Sequence, residues 1–215
     1  MNKLYLLGGP PRAGKSIIMN GFLQQRPMHH ISMDAVQEGV RHLFVDDPFQ
    51  ILRSIHFEGW TEFKKRGTGD VVRQDFSAEM NEVDMARKAV TGMLDHYNRA
   101  GSDVAAEGLH ITPEWVQSLH LSEFSIVAAF VGYTDPNYVE GILEHARNNK
   151  HDWVNEWLSI HNGDDTKLRT WVSETAQESQ KTAQLAEKYG FPFFDASAQP
   201  FPQYVEEVQT YLSGH

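Results

Sequence analysis

The chain contains no cysteine. Disulfides and thiolate metal sites are therefore excluded, nothing marks an oxidising compartment, and the cytoplasm is the expected location. Basic residues are in short supply: Lys and Arg number 19 against 29 Asp and Glu, a formal charge of -10. Such a surface repels nucleic acid and anionic membranes at long range, so neither is expected as a partner, and any phosphate site must be basic locally. Long apolar runs are also missing. The N-terminal stretch is apolar for only a few residues, to Leu7, before Gly8, against the roughly 20 that span a bilayer, and it reads as a first strand rather than a targeting signal. No H-E-x-x-H zinc motif occurs, and paired histidines such as His29 and His30 project to opposite sides of a strand. Internal repeats and low-complexity tracts are absent.

What is present is the composition of one folded domain: 215 residues, 40% hydrophobic, 11% aromatic and 22% charged. Short apolar runs predict strands at Leu4 to Leu7, His29 to Met33, Val104 to Ala106, Ile126 to Val131 and Phe191 to Phe194. Helical spacing appears at Ile17, Ile18, Phe22 and Leu23, then over Ala78 to Arg99, Asn137 to Arg147, Leu168 to Lys188 and Gln203 to Leu212. This alternation predicts an α/β fold, a parallel sheet with helices on both faces and ligands at the carboxyl ends of the strands. The stretch 35–101 is much longer than one crossover helix requires, and reads as a helical substrate-binding insertion within a single domain 1–215.

Gly9-Pro10-Pro11-Arg12-Ala13-Gly14-Lys15-Ser16 matches G-x-x-x-x-G-K-[ST] at every position, after a predicted strand and before a predicted helix. The glycines let the backbone curl so that successive N–H groups face a phosphate chain, and the helix N-terminus adds a favourable dipole. Lys15 is expected to reach the β- and γ-phosphates of a nucleoside triphosphate, and the Ser16 hydroxyl to ligate Mg²⁺, which prefers oxygen.

Phosphoryl transfer further needs a carboxylate on the magnesium side, a group that orients the acceptor hydroxyl, and cations on the γ-phosphate. In Ser102 to His110, Glu107 ends a short apolar strand, where it could hold a magnesium-bound water or the acceptor, whereas Asp103 at the strand's other end points away. Asp34 follows the second strand. It suits either the proton-accepting carboxylate for an acceptor hydroxyl or the N-cap of the next helix.

These residues resemble the small P-loop kinases, in particular the group of 2-phosphoglycerate kinase, chloramphenicol phosphotransferase and zeta-toxin. Three segments carry the likeness: Gly8 to Ser16, Asp34, and Glu107-Gly108-Leu109-His110-Ile111-Thr112-Pro113, which is similar to the Glu-Gly-x-His segment of 2-phosphoglycerate kinases. The resemblance implies a mostly parallel five-stranded sheet in order 2-3-1-4-5, Asp34 as the acceptor-activating carboxylate and Glu107 beside it. It implies an Arg-bearing lid after the fourth strand, here 134–169, with Arg147, Lys150 and Arg169 as its cations and Arg147 or Arg169 as the one that swings onto the γ-phosphate. The tightly spaced Arg pair of many such lids is not in this sequence. Asp195-Ala196-Ser197-Ala198 resembles the loop lying against the adenine, which implies Ala196 and Ser197 as nucleotide contacts.

Asn149-Lys150-His151-Asp152 matches the guanine-specificity motif N-K-x-D of GTPase switches. That motif should close a buried apolar strand, whereas the residues before it are polar and helix-patterned, and no D-x-x-G occurs in the chain. Within the insertion, Arg41, Arg53, His56, Lys64, Lys65, Arg66 and Arg73 suit an anionic acceptor, but Glu58, Glu62, Asp70 and Asp75 are interleaved, as on a solvated helix face. Phe57, Trp60 and Phe63 suit an apolar acceptor pocket or simple packing onto the core. His110, just beyond Glu107, suits either a contact with the acceptor or a core or surface role. The expectation is an ATP- and Mg²⁺-dependent kinase acting on a hydroxyl of a small molecule, with a nucleotide or nucleotide-sugar kinase and a non-catalytic nucleotide-binding regulator as alternatives.

Overall fold

The computed structural model describes residues 2–46, 49–51, 60–65, 71–75, 82–121, 124–149, 152–160 and 163–215; for 41–82, and for 153, 156, 157 and 160, it describes the backbone alone. In chain order the elements are β1 (Asn2–Gly8), α1 (Lys15–Gln25), β2 (His29–Ser32), α2 (Met33–Asp46), β3 (Phe49–Ile51), β4 (Trp60–Lys65), β5 (Val71–Asp75), α3 (Glu82–Arg99), β6 (Val104–Gly108), α4 (Pro113–Ser118), β7 (Phe124–Gly132), a 3₁₀ turn (Pro136–Tyr138), α5 (Val139–Asn148), α6 (Trp153–Ile160), α7 (Thr166–Tyr189), β8 (Phe193–Asp195) and α8 (Phe201–Ser213).

Five strands form one parallel sheet in the order β2-β6-β1-β7-β8. Numbered among themselves these strands run 2-3-1-4-5, as expected. The central strand β1 is buried on both faces because successive residues alternate sides. Tyr5 and Leu7 join Ala105, Ala129 and Val131 in a core closed by α1, α5, α7 and α8, whereas Leu4 and Leu6 join Val104, Ala106 and Phe130 in a second core beneath α3 and α4. The result is a three-layer sandwich. Burying a Leu or Ile side chain in such a layer contributes about 1.5–3 kcal/mol, so the four buried apolar residues Leu4 to Leu7 anchor β1 firmly at the centre of the sheet.

The insertion differs from its helical expectation. Its ends are helical, α2 and α3, which pack together. Between them β3, β4 and β5 pair antiparallel as a separate sheet, with Thr61 opposite Gln74 and Phe63 opposite Val72. Charge-rich sequence hid these strands, because Trp60 and Phe63 are three apart, a helical spacing, while pairing with β5 is a non-local contact. Arg53, His56, Phe57, Glu58, Arg66 and Asp70 lie outside the described residues. Met33 also departs from the second strand, opening α2 instead.

Candidate active site

Residues Gly9 to Gly14 carry the chain from the end of β1 into α1, which opens at Lys15. Gly14 precedes the helix with φ 79°, a left-handed conformation natural to glycine, and offers no side chain to cap it. The first N–H groups of α1 therefore face outward with the positive end of the helix dipole, an arrangement suited to anions. The last helix braces this loop from behind. Tyr204, fully buried on α8, donates its hydroxyl to the Ala13 carbonyl at 2.6 Å, and the Phe201 ring lies 2.9 Å from where a Cβ on Gly14 would stand.

Lys15 is 6% exposed, and its Nζ donates to the Pro10 carbonyl at 2.9 Å. Burial pushes its pKa down, while Asp34 and Glu107 push it back up. These two carboxylates arrive from neighbouring strands. Pairing sets Glu107 beside Leu7 of β1 and Ser32 of β2, so it emerges where β6 meets the loop, and Asp34 stands in the first turn of α2 just beyond β2. Glu107 is only 4% exposed, and its Oε2 accepts no hydrogen bond. Burial holds its carboxyl above the usual carboxylate range, against the pull of Lys15 and with a further push from Asp34.

Asp34 is exposed, and its Oδ1 accepts from the Leu109 N–H at 3.0 Å. Gly108 permits this contact: a Cβ there would stand 2.7 Å from the Met33 Cβ and 3.0 Å from Asp34 Oδ1. The N-cap alternative for Asp34 does not hold. The helix starts one residue earlier, and the Ser32 hydroxyl accepts from the Ala35 N–H at 3.4 Å in the capping position. Asp103, at the far end of β6, accepts from Lys3 N and Arg26 away from the site, as expected.

A cavity of about 580 Å³ opens over the loop, lined by Arg12, Lys15, Ser16, Asp34, Tyr138 and Phe201 among others. From α5 it receives Gly141, Ile142, Glu144, His145 and Asn148, positions three and four apart on one helix face. Arg147 is exposed and falls on a different face, outside the lining. Arg169 is also exposed, and donates to Asp165 at 2.9 Å and Glu140 at 2.5 Å. The structure brings neither expected lid arginine to the loop, and Lys150 lies outside the described residues.

The lid-side ion pair at the loop is one the sequence reading missed. The Arg12 guanidinium donates through both terminal nitrogens to Asp152, at 2.7 Å to Oδ2 and by a second bond to Oδ1. Asp152 immediately precedes α6, accepts from Val154 N at 2.9 Å, and has His145 Nε2 3.7 Å away. Side-chain exposure is 18% for Arg12 and 3% for Asp152. The hydrogen bonds from Arg12 hold the Asp152 carboxyl below the usual range despite its burial. Removing one partner of such a buried pair costs about 3–5 kcal/mol. Asn149 thus closes α5 and Asp152 precedes α6, so neither ends a strand, and the aspartate is bound to the loop.

The Asp195–Ala198 turn is organised inward. Ser197 donates to Asp195 Oδ1 at 2.5 Å, Thr134 donates to the same carboxylate, and Ala196 is buried. This network ties β8 to the end of β7, and neither Ala196 nor Ser197 lines the cavity. On the other flank Arg87 of α3 donates to the His110 carbonyl at 3.1 and 2.9 Å and to Thr112 Oγ1 at 3.3 Å, fixing the turn after Glu107. Its signal was legible: Arg87, Val90 and Leu94 share one face of α3, and a cation on an apolar stripe needs a buried acceptor.

Among the described residues no group of three or more His, Cys, Asp or Glu could hold a metal by itself. The Ser16 hydroxyl and the unpartnered Glu107 oxygen fit Mg²⁺ of the kind that takes the rest of its oxygens from phosphates and water. No helix among the described residues is long and apolar enough to cross a membrane.

No protein-family model and no curated protein sequence matches this chain. Solved structures do. A sugar kinase from Janibacter sp. HTCC2649 superposes with a TM-score of 0.52 at 13% identity, covering 99% of this chain and 95% of that one. A shikimate kinase from Bacteroides thetaiotaomicron gives 0.49 at 15% identity over 99% and 98%, and a gluconokinase from Sinorhizobium meliloti 1021 gives 0.49 at 11% over 99% and 92%. At such identities the likeness speaks for the fold alone: the chain shares the three-layer α/β architecture of the sugar kinase.

Proposed function

We propose that this protein is an ATP- and Mg²⁺-dependent kinase that transfers the γ-phosphate to a hydroxyl of a small-molecule acceptor in the cytoplasm. The observation that carries this reading is the meeting of Lys15, Asp34 and the buried Glu107 at the carboxyl ends of β1, β2 and β6, beside the open N-terminus of α1. A protein that only binds Mg²⁺-nucleotide can use one carboxylate on the metal side, but a second, exposed one near the phosphate-binding lysine repels the phosphates and serves an acceptor hydroxyl. A kinase needs both. The loop amides and Lys15 hold the triphosphate, and the exposed Asp34 takes the hydroxyl proton as the acceptor oxygen attacks in line. Ser16 and Glu107 would hold Mg²⁺, which supplies charge neutralisation on the phosphates.

Asp34 is pre-aimed by the Leu109 N–H, which leaves its other oxygen for the acceptor. Arg147 and Arg169 reach the γ-phosphate only after the lid segment moves, since neither lines the cavity in this conformation. A guanine switch is disfavoured because Asn149 closes α5 and Asp152 precedes α6, and because the sequence has no D-x-x-G.

The test is ADP formation from ATP and Mg²⁺ across sugars, glycerate derivatives, nucleosides, nucleotide sugars and aminoglycoside or phenicol antibiotics, with Lys15→Ala as the blank. Acceptor-dependent turnover names the substrate class. ATP binding with no turnover on any of these acceptors would point to an acceptor outside the panel or to a nucleotide-binding regulator.

A further inference from the structure

We propose that Asp152 is a positioning residue for nucleotide: it holds the Arg12 guanidinium at the cavity wall as the phosphate loop's second cation, so that polyphosphate affinity depends on the lid junction. This rests on the nucleotide-binding reading above and assigns a role to a residue outside the loop.

Arg12 adopts φ 69°, the left-handed region that side chains rarely occupy and, among the described residues, the only non-glycine to do so. Backbone strain of this kind persists where the surroundings over-determine it. Here the surroundings are the loop on one side and Asp152 on the other. The carboxylate is buried, engaged by both guanidinium nitrogens and by the Val154 N–H, and therefore has no alternative place to go. Both Arg12 and His145, the other group near Asp152, line the cavity together with Lys15.

Two arrangements could serve a cation in this place. In one, nucleotide pulls Arg12 off Asp152; in the other, Arg12 meets the phosphates while still held. Opening the pair would leave the buried carboxylate with the Val154 N–H and the nearby His145 in place of a bidentate guanidinium, a larger cost than one hydrogen bond to phosphate returns. The pair therefore stays closed, and Asp152 acts by aiming the fork. Arginine suits this task because its planar guanidinium can bond a carboxylate on one edge and present further donors on another. The cavity's own acids, Asp34 and Glu144, make a fixed second cation necessary for an anionic ligand.

Asp152→Asn separates this role from a merely structural one, because an asparagine oxygen can still accept from Val154 N while the charge on Arg12 loses its partner. The measurement is calorimetric binding of ATP and ADP to the wild type, Asp152→Asn, Arg12→Ala and the double variant, with thermal melts confirming the fold. The expected result is a loss of affinity of about tenfold in each single variant, equivalent to about 1.4 kcal/mol, with the double variant no weaker than Arg12→Ala. Wild-type affinity in Asp152→Asn, or losses that simply add, would overturn the proposal, the latter assigning Asp152 to lid packing alone. If Asp152→Asn does not fold, Arg12→Lys substitutes for it: the charge remains but the fork is lost, and unchanged affinity there is equally fatal. Failure of the wild type to bind nucleotide would instead sink the kinase reading first.

Discussion

Asp34 and Glu107 both stand near Lys15 but in opposite environments, and under the proposed function their different burial divides the work between them. Asp34 is exposed and tethered by one N–H. Asp34→Asn keeps that acceptor oxygen and removes only the base, so ATP affinity should stay within about twofold while turnover falls by about 10²–10⁴. Single-turnover kinetics beside equilibrium nucleotide binding checks this, and undiminished turnover would reassign the base. Glu107 is the buried partner, with one oxygen unpartnered and a raised pKa caused chiefly by burial. An acid whose folded pKa lies above its unfolded value binds its proton more tightly when folded. Its ionisation therefore costs stability as pH rises through the usual carboxylate range. Glu107→Gln should flatten that part of the stability–pH profile and raise the thermal midpoint at pH 7 by a few degrees, about 1 kcal/mol, while abolishing most Mg²⁺-dependent activity. Thermal melts at pH 4, 5.5 and 7 read the difference; a lower midpoint at pH 7 would mean that the attraction to Lys15 outweighs the burial of the charge.

At the scale of elements, the loop between β1 and α1 is held by pieces of chain far from it in sequence. The last helix contributes Tyr204, whose buried hydroxyl ends on the Ala13 carbonyl. Tyr204→Phe leaves that carbonyl unsatisfied and should cost about 1–3 kcal/mol, lowering the midpoint of a 215-residue chain by roughly 2–4 °C for each kcal/mol. Denaturant unfolding with an unchanged m-value is the check. The loop should also lose affinity for ATP, since its amides are no longer fixed from behind. On the opposite flank α3 secures the turn after Glu107 through Arg87, and β6 closes against α2 at Gly108. The candidate site is thus framed by α8 behind the loop, α5 and α6 beside it, and α2 and α3 across from it.

For the whole molecule the decisive quantity is the cost of assembling like and unlike charges in one cavity of an acidic protein. A chain of net charge -10 does not attract ATP at long range. Affinity must come from the loop, Lys15 and Arg12 at contact. If the native state alone binds nucleotide, ATP with Mg²⁺ at a hundred times its Kd should add about 2.7 kcal/mol of stability, a rise of about 5–11 °C in thermal midpoint. Lys15→Ala should show no such rise, and a rise equal to that of the wild type in this variant would place nucleotide elsewhere.

The amino-acid order by itself determined the α/β class and the place of the Gly9 to Ser16 motif between a strand and a helix, and it singled out the two carboxylates that stand near Lys15, because each is a local pattern: eight consecutive residues, alternating strand and helix periods, and acids just past apolar runs at Asp34 and Glu107. The strand order came from resemblance and was met by the pairing of β2, β6, β1, β7 and β8. Only the tertiary structure decided which cation stands at the loop. Arg147 and Arg169 had the helical placement expected of a lid, yet helix phase turned the first away and Glu140 and Asp165 engaged the second. Asp152 reached Arg12 across 140 residues, a separation over which no local pattern carries information. The inner sheet of the insertion escaped for the same reason, since strands of three, six and five residues become stable only by pairing with one another.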